Sequence, residues 1–322
     1  MGVIRGYIKT NFLLILLLVP LQGLTSEKIH LLIPGGAGGG WDATARGAGD
    51  ALLRSGLAES VSYENISGGG GTKAIAYLIE TANRQQNTLL ISSTPIILQA
   101  LKGIFPQTYK DLVPVATVVA DYGAFVVKMD SKYQSWAEII ADYKKDARNV
   151  KVAGGSVRGS MDHLVAALAF KQSGADPQQL RYIPYNAGAK AMVGLLSGET
   201  QLLSTGLSEA IALMAQSEVR ILATTAPQRV AYAPEVPTLH EVGVNAEFTN
   251  WRGFFAAPGT SPTQQAHYHQ LLNNLYKSKE WEEIRARRGW THLNVVGEAF
   301  SEFLAKQEQE LDQIMVELGM KK

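Results

Sequence analysis

The sequence predicts an α/β protein with largely parallel sheets, built as two domains. Three observations predict it. Short β-rich apolar runs alternate with segments of helical period, glycine-rich loops repeatedly join a run to the segment after it, and the chain of 322 residues is longer than one core usually organises.

The first element stands outside that fold. Residues 1–26 carry Arg5 and Lys9, no acid, and an apolar run at 12–19 broken by Pro20. A basic start followed by an apolar stretch of that length reads as a signal peptide, too short to span a bilayer comfortably, with cleavage between Gly23 and Glu27; an uncleaved anchor is the alternative. No later stretch offers about 18 consecutive apolar residues, so the mature chain of roughly 297 residues is expected to be exported and soluble. The absence of cysteine excludes disulfides, thiolate metal sites, a cysteine nucleophile and a lipid-anchored cysteine. It suits a large bacterial periplasmic protein better than a small eukaryotic secreted one. Lys+Arg 30 against Asp+Glu 29 gives +1, and removing Arg5 and Lys9 leaves −1, so no basic excess points to nucleic acid or a membrane surface.

The runs lie at 29–33, 61–63, 88–91, 113–119, 124–127, 151–153, 182–184, 200–204 and 221–225. Between them, 43–53, 72–81, 136–145, 162–172, 190–196 and 208–214 space their apolar residues by three and four, several opening with Ser, Thr or Asp. Residues 263–322 read as a charge-rich helical tail whose mixed signs mark a solvated face. Two places look like crossings between domains. A strand stops around Asp121-Tyr122-Gly123 and restarts, and 226–238, with Pro227, Pro234 and Pro237, reads as an irregular return. The expected division is therefore 27–122 plus 230–322 as domain 1 and 123–229 as domain 2.

Residues 34–42, Pro-Gly-Gly-Ala-Gly-Gly-Gly-Trp-Asp, join the first run to a helix expected to begin near Asp42. Backbone without Cβ atoms can press its N–H groups against a ligand, and the helix start adds partial positive charge, so the loop suits a phosphate or a carboxylate. Glycine clusters at 67–72 and 154–160 also precede helices. In the latter, Ser160 fits an N-cap, while Ser156, Arg158 and the loop amides can face a carboxylate. The hydroxyl-bearing loops 92–95 and 204–208, and Tyr185 in 184–188, belong to the same carboxyl edge of the strands, where ligands sit in open α/β sheets. Capping and turn formation explain each loop alone; three glycine-rich helix starts at one edge, drawn from both expected domains, point to a ligand.

Other chemistries fit less well. Gly38 to Ala43 satisfies G-x-G-x-x-A, with Glu64 where a ribose-binding acid can stand, but Trp41 crowds the helix start that a pyrophosphate must approach. Gly206-Leu-Ser-Glu-Ala210 lacks the final glycine of a nucleophile elbow. His267 and His269, two apart on a helix, face different sides and make no metal pair. Asp42 and Asp162 occupy first turns, where acids favour the helix dipole without any catalytic role.

As an ordered set, Pro34-Gly-Gly-Ala-Gly-Gly-Gly-Trp-Asp-Ala-Thr-Ala-Arg46, Glu64-Asn-Ile-Ser-Gly-Gly-Gly-Gly71, Val152-Ala-Gly-Gly-Ser-Val-Arg-Gly-Ser-Met-Asp-His163, Arg181-Tyr-Ile-Pro-Tyr-Asn-Ala-Gly188 and Pro234-Glu-Val-Pro-Thr-Leu-His-Glu-Val-Gly243 resemble the solute-binding proteins of tripartite tricarboxylate transporters. The resemblance covers essentially the whole mature chain. It implies a two-domain, type II-like periplasmic binding protein, with two crossing segments and the ligand cleft between the domains. In that family backbone amides of the first loop, often through ordered water, hold one ligand carboxylate. Position by position this implies Gly38, Gly39, Trp41 and Asp42, then Ser93 and Thr94, then Ser156, Ser160, Asp162, Tyr185, Gly188 and Ser208. Arg158 enters from the residues alone, as charge assistance whose loss in Arg158→Ala weakens binding at least about tenfold.

The function implied is a monomeric periplasmic receptor that closes on an organic carboxylate and delivers it to the membrane permease subunits of the transporter, with no enzymatic activity, cofactor, metal or nucleic acid. Gly-Gly-Gly-Trp-Asp looks closer to the tricarboxylate-type receptors, so a citrate-like ligand is expected first. A dicarboxylate, a monocarboxylate or an amino acid is the alternative, with an exported nucleotide-dependent enzyme behind it.

Overall fold

The first strand-loop-helix unit forms as its pattern predicts. In the computed structural model, which describes Gly2, residues 28–214 and residues 219–321, β1 (Lys28–Ile33) buries its last three residues completely. It feeds α1 (Gly40–Arg54), which turns Ala45, Ala48, Ala51 and Leu52 to the core at helical spacing. The signal-peptide and cleavage-site expectations lie outside the described residues.

β2 (Ser60–Asn65), α2 (Thr72–Glu80), β3 (Thr88–Ser93) and α3 (Pro95–Lys102) continue the alternation, Pro95 opening α3 where its missing N–H has no helical partner to lose. After β4 (Val113–Lys128) come α4 (Trp136–Lys145), β5 (Lys151–Gly154), α5 (Met161–Gln172), β6 (Arg181–Pro184), α6 (Gly188–Leu196), β7 (Leu202–Gly206), α7 (Leu207–Met214) and β8 (Val219–Thr224). An irregular stretch then leads to β9 (Thr249–Ala256), α8 (Pro262–Lys277), α9 (Lys279–Arg288), β10 (Thr291–His292) and α10 (Glu298–Glu317).

The strands hydrogen-bond in the order β2-β1-β3-β9-β4-β7-β5-β6, with β8 and β10 also on β4. β1 is parallel to β2 and β3, and β5 to β6 and β7, as alternation with helices predicts. The expectation of largely parallel sheets is corrected by β4 and β9. β9 runs antiparallel to both β3 and β4, and β4 antiparallel to β7 and β8.

The runs 113–119 and 124–127 are not separate strands either. Asp121 and Tyr122 stay extended because Asn250 and Thr249 of β9 pair with them, and the partner then changes to β7, where Gly123 faces Gly206. Gly123 also meets the second expected crossing: its N–H donates to Thr225 Oγ1 at 2.8 Å, and the Thr225 N–H donates to its carbonyl at 2.9 Å.

α2 and α4 begin where the spacing places them, while α1, α5, α6 and α7 begin one to three residues earlier, α1 at Gly40 rather than near Asp42. This matters because the carboxyl ends of β1, β3, β5, β6 and β7 open on one region, where α1, α5 and α6 start.

Candidate ligand-binding cleft

Those strand ends surround a cavity of about 130 Å³. β1 and β3 bring Gly35, Gly36, Gly39, Gly40, Trp41, Ser93 and Pro95; the loops after β5, β6 and β7 bring Gly155, Ser156, Met161, Asp162, Asn186, Ala187, Gly188, Gly206 and Glu209. β9 adds Asn250 and Arg252, two apart in a strand and therefore on one face. The Trp41 indole N–H donates to Ser93 Oγ at 2.8 Å, tying the glycine loop to β3. Glycine is required at 155, since a Cβ there would overlap the Gly188 nitrogen and stand 2.6 Å from the Ala187 carbonyl carbon.

Of the residues implied by sequence, Gly39, Trp41, Ser93, Ser156, Asp162 and Gly188 line this cavity. The others have different tasks. Asp42 accepts from the Gly38 N–H at 3.0 Å, Arg46 Nε at 2.9 Å and Asn65 Nδ2 at 3.1 Å, so the Gly38 amide expected on the ligand is used to set the loop. Burial pushes the Asp42 carboxyl up, but these donors outweigh it and hold it below the ordinary carboxylate value. Ser208 donates its hydroxyl to Asp121 at 2.5 Å, and Tyr185 donates to Glu199 at 2.7 Å. Thr94 is buried at the start of α3. Ser160 occupies the N-cap of α5 without a cap bond from its hydroxyl, and Ser156 Oγ accepts the Asp162 N–H instead, at 3.2 Å.

Arg158 is exposed, and its guanidinium donates to the Tyr182 carbonyl at 2.7 Å, away from the cavity. The tenfold loss expected for Arg158→Ala is accordingly replaced. Affinity is expected to stay within about twofold, the size of an ordinary surface substitution, and calorimetry showing a tenfold loss would return Arg158 to the site.

The basic residue of the cleft is Arg252, which donates to Asp121 at 2.9 Å and to Thr44 Oγ1 at 3.3 Å; both ion-pair partners are buried. Glu209 of α7 accepts from Thr205 Oγ1 at 2.7 Å, and the Gly40 amide at the start of α1 also favours its charge. A Cβ on Gly188 would overlap Glu209 Oε2, and one on Gly40 would stand 2.6 Å from the Arg252 guanidinium and 3.2 Å from Glu209 Oε1, so the two helix starts lie against this pair of charged groups as only glycine allows. Burial nevertheless raises the Glu209 pKa, with Thr205 and Arg252 opposing. Burial, then the charge of Glu209, lift Asp162 to about 7 against the pull of Ser156 and the Gly155 amide. The glycine-loop donors that the sequence offers to a ligand anion are thus partly met by the protein's own Asp42, Glu209 and Asp162.

That raised value has a measurable consequence. A carboxyl whose pKa rises on folding holds its proton more tightly in the native state, so stability grows as pH falls from about 7 toward the ordinary value of 3.8 and is unaffected well above 7. His163, which burial lowers to about 4, acts in the opposite sense between its ordinary value and about 4. The difference between wild type and Asp162→Asn isolates the carboxyl. In denaturant titrations it is expected to shift by about 4 kcal/mol in favour of wild type from about pH 8 to about pH 4, and a constant difference would refute the shift.

Over residues 45–320 the chain matches the family described as Tripartite tricarboxylate transporter family receptor. The chain belongs to this family. Among curated relatives of the receptor, BugT of Bordetella pertussis is 27% identical over 302 residues, 92% of this chain and 90% of that one. MatC from Rhodopseudomonas palustris, solved with bound malate, is 18% identical over 89% of this chain and 98% of its own, with a TM-score of 0.77. Another R. palustris protein, solved with adipate, is 21% identical over 92% and 98%, with a TM-score of 0.81. The receptor has the α/β fold of solved periplasmic binding proteins. The residues of the nucleotide reading have other partners in it: Trp41 is held by Ser93, and Glu64 stands 3.4 Å from His30 Nε2.

Among the described residues no helix is long and apolar enough to cross a membrane. Arg252 and Asn250 carry no local sequence signal, Asp121 stands out in sequence only as part of an expected crossing, and Glu209 only as part of a defective nucleophile elbow.

Proposed function

We propose that the protein is an exported, monomeric periplasmic receptor that captures a small organic carboxylate between two lobes and hands it to the membrane permease of a tripartite transporter. The observation that carries this is the meeting of α1, α5 and α6 at one cavity lined from both sides. The lobes are 27–122 plus 230–322 and 123–229, joined where β4 changes partner at Tyr122–Gly123 and where Thr225 bonds to Gly123. Ligand contacts to both lobes favour the closed arrangement by differential affinity, and the closed form is what the permease receives.

Relatives with this fold hold malate and adipate. A thermal-shift screen against malate, succinate, adipate, glutamate, benzoate and citrate tests the reading. One or more acids raising the melting temperature saturably supports it, because a ligand that binds only the folded state stabilises it by mass action; no response to any acid counts against it.

A further inference from the structure

A second concavity, of about 640 Å³ against about 130 Å³ for the ligand cavity, shares no lining residue with it. One wall of this groove is α1 and α9 of the first proposed lobe, and the other is α7 of the second. Three guanidiniums line it, those of Arg46, Arg287 and Arg288, against a single acid among the described residues, Asp50, which faces Arg54 at 3.5 Å. Ile284 of α9 and Ile211 of α7 add apolar lining.

Most of that positive charge has no use inside the protein. The side chains of Arg287 and Arg288 make no hydrogen bond or ion pair among the described residues, and Arg288 rests over the Trp290 ring at 6.0 Å. Cations suit the last turn of a helix, but Arg285 already serves the end of α9 by donating to the Trp290 carbonyl just beyond it. Arg46 is paired with Asp42 at 2.9 Å and donates to Asn65 at 3.3 Å, which fixes its place on the α1 wall. Unpaired guanidiniums beside apolar side chains match a partner of the opposite kind, an acidic segment with an apolar residue, because complementary potentials steer encounter and disfavour wrong partners.

The same two helices serve the groove and the ligand. α1 lines the ligand cavity with Gly40 and Trp41 and the groove with Arg46, Gly47 and Asp50; α7 lines the cavity with Glu209 and the groove with the residue before it, Ser208. Because the walls belong to different lobes, the width of the groove follows the lobe angle, and a ligand that holds the lobes together also fixes the groove.

We propose that this groove is a docking surface for the membrane permease, that it takes an acidic segment of that partner, and that it reaches its binding width only in the loaded receptor. This rests on the receptor reading above and adds the surface on which delivery occurs.

The test pairs calorimetry with uptake by cells that carry the receptor's own transporter, using as radiolabelled probe the acid that gives the largest thermal shift. Wild type is compared with Arg287→Glu/Arg288→Glu and Arg287→Gln/Arg288→Gln. Affinity for the acid is expected to stay within about twofold in both variants, while uptake falls at least about tenfold with the Glu pair and about threefold with the Gln pair, since like charges at an interface cost more than a lost attraction. The Gln pair decides the matter if the Glu pair folds poorly. Uptake unchanged with a folded variant at wild-type abundance overturns the docking surface and leaves the receptor intact. So does phosphate binding to wild type that the Gln pair abolishes while uptake persists, which would make the groove a small-anion site. Affinity that falls together with uptake also overturns it, by placing these arginines in ligand capture. A protein that binds no acid in the thermal screen contradicts the receptor reading and the docking surface with it.

Discussion

Arg252→Met is expected to destabilise the protein by about 3–5 kcal/mol, because it strands a carboxylate in the interior. The Arg252 and Asp121 side chains are 4% and 0% exposed, and the guanidinium lies 2.9 Å from Asp121 Oδ2. Without Arg252, Asp121 keeps the Tyr122 N–H at 2.9 Å and the Ser208 hydroxyl at 2.5 Å, but no opposite charge. The pair also joins distant chain: Arg252 lies on β9 and Asp121 at the point where β4 exchanges β9 for β7, so its loss loosens the crossing itself. Adding Asp121→Asn to Arg252→Met removes the stranded charge and is expected to restore more than half of the loss. Guanidinium unfolding of both variants checks this. A loss under about 1 kcal/mol for Arg252→Met would mean that Asp121 carries no charge needing a partner.

Gly155→Ala is expected to weaken carboxylate binding by roughly 10–100-fold while lowering stability by about 1–3 kcal/mol, the usual cost of an overpacked methyl. The added Cβ would overlap the Gly188 nitrogen and crowd the Ala187 carbonyl carbon, and both neighbours are backbone, which cannot rotate away. Either the loop after β5 or the start of α6 must move. Both line the cavity and both lie against other cleft groups, Gly155 by Asp162 and Gly188 by Glu209. Titration calorimetry on a variant with a cooperative unfolding transition separates the two effects. Unchanged affinity would show that the ligand does not depend on this close approach.

Much of the local architecture was legible, because it follows from signals within a few residues. Pro34 to Asp42 announced a strand-loop-helix turn, and the apolar spacing of 136–145 gave α4 with its ends. β9 was not legible: Asn250, Arg252 and Gly253 interrupt its alternation, and what makes it a strand is pairing with β3 and β4 far away in sequence. For the same reason the sequence broke β4 in two at Asp121. Asp-Tyr-Gly is a local turn signal, and only the partners on β9 hold those residues extended.

The site divides along the same line. Trp41, Ser93 and Ser156 sit in loops whose composition marks them, and they line the cavity. Arg158 was chosen because it is a cation in such a loop, yet its nearest acceptor is a backbone carbonyl of β6. The cation that does line the cavity, Arg252, lies in a strand between aromatic residues, where nothing local tells a buried ion pair from an exposed edge. Glu209 stands out in sequence only within Gly206-Leu-Ser-Glu-Ala210, a nucleophile elbow without its last glycine. Its placement against Gly40 and Gly188 depends on how the loops after β1, β6 and β7 converge.

The central claim is that the ligand lies against the glycine loop of β1, and Trp41 is placed to report it. The measurement is a tryptophan-fluorescence titration of wild type and Trp41→Phe with the acid that gives the largest thermal shift. A saturable change in emission is expected in wild type and should fall to a small remainder in Trp41→Phe, since Trp136, Trp251, Trp281 and Trp290 do not line the cavity and only Trp290, 5.8 Å from the Arg252 guanidinium, adjoins a residue that does. The same change in both proteins would place the ligand elsewhere and contradict the account.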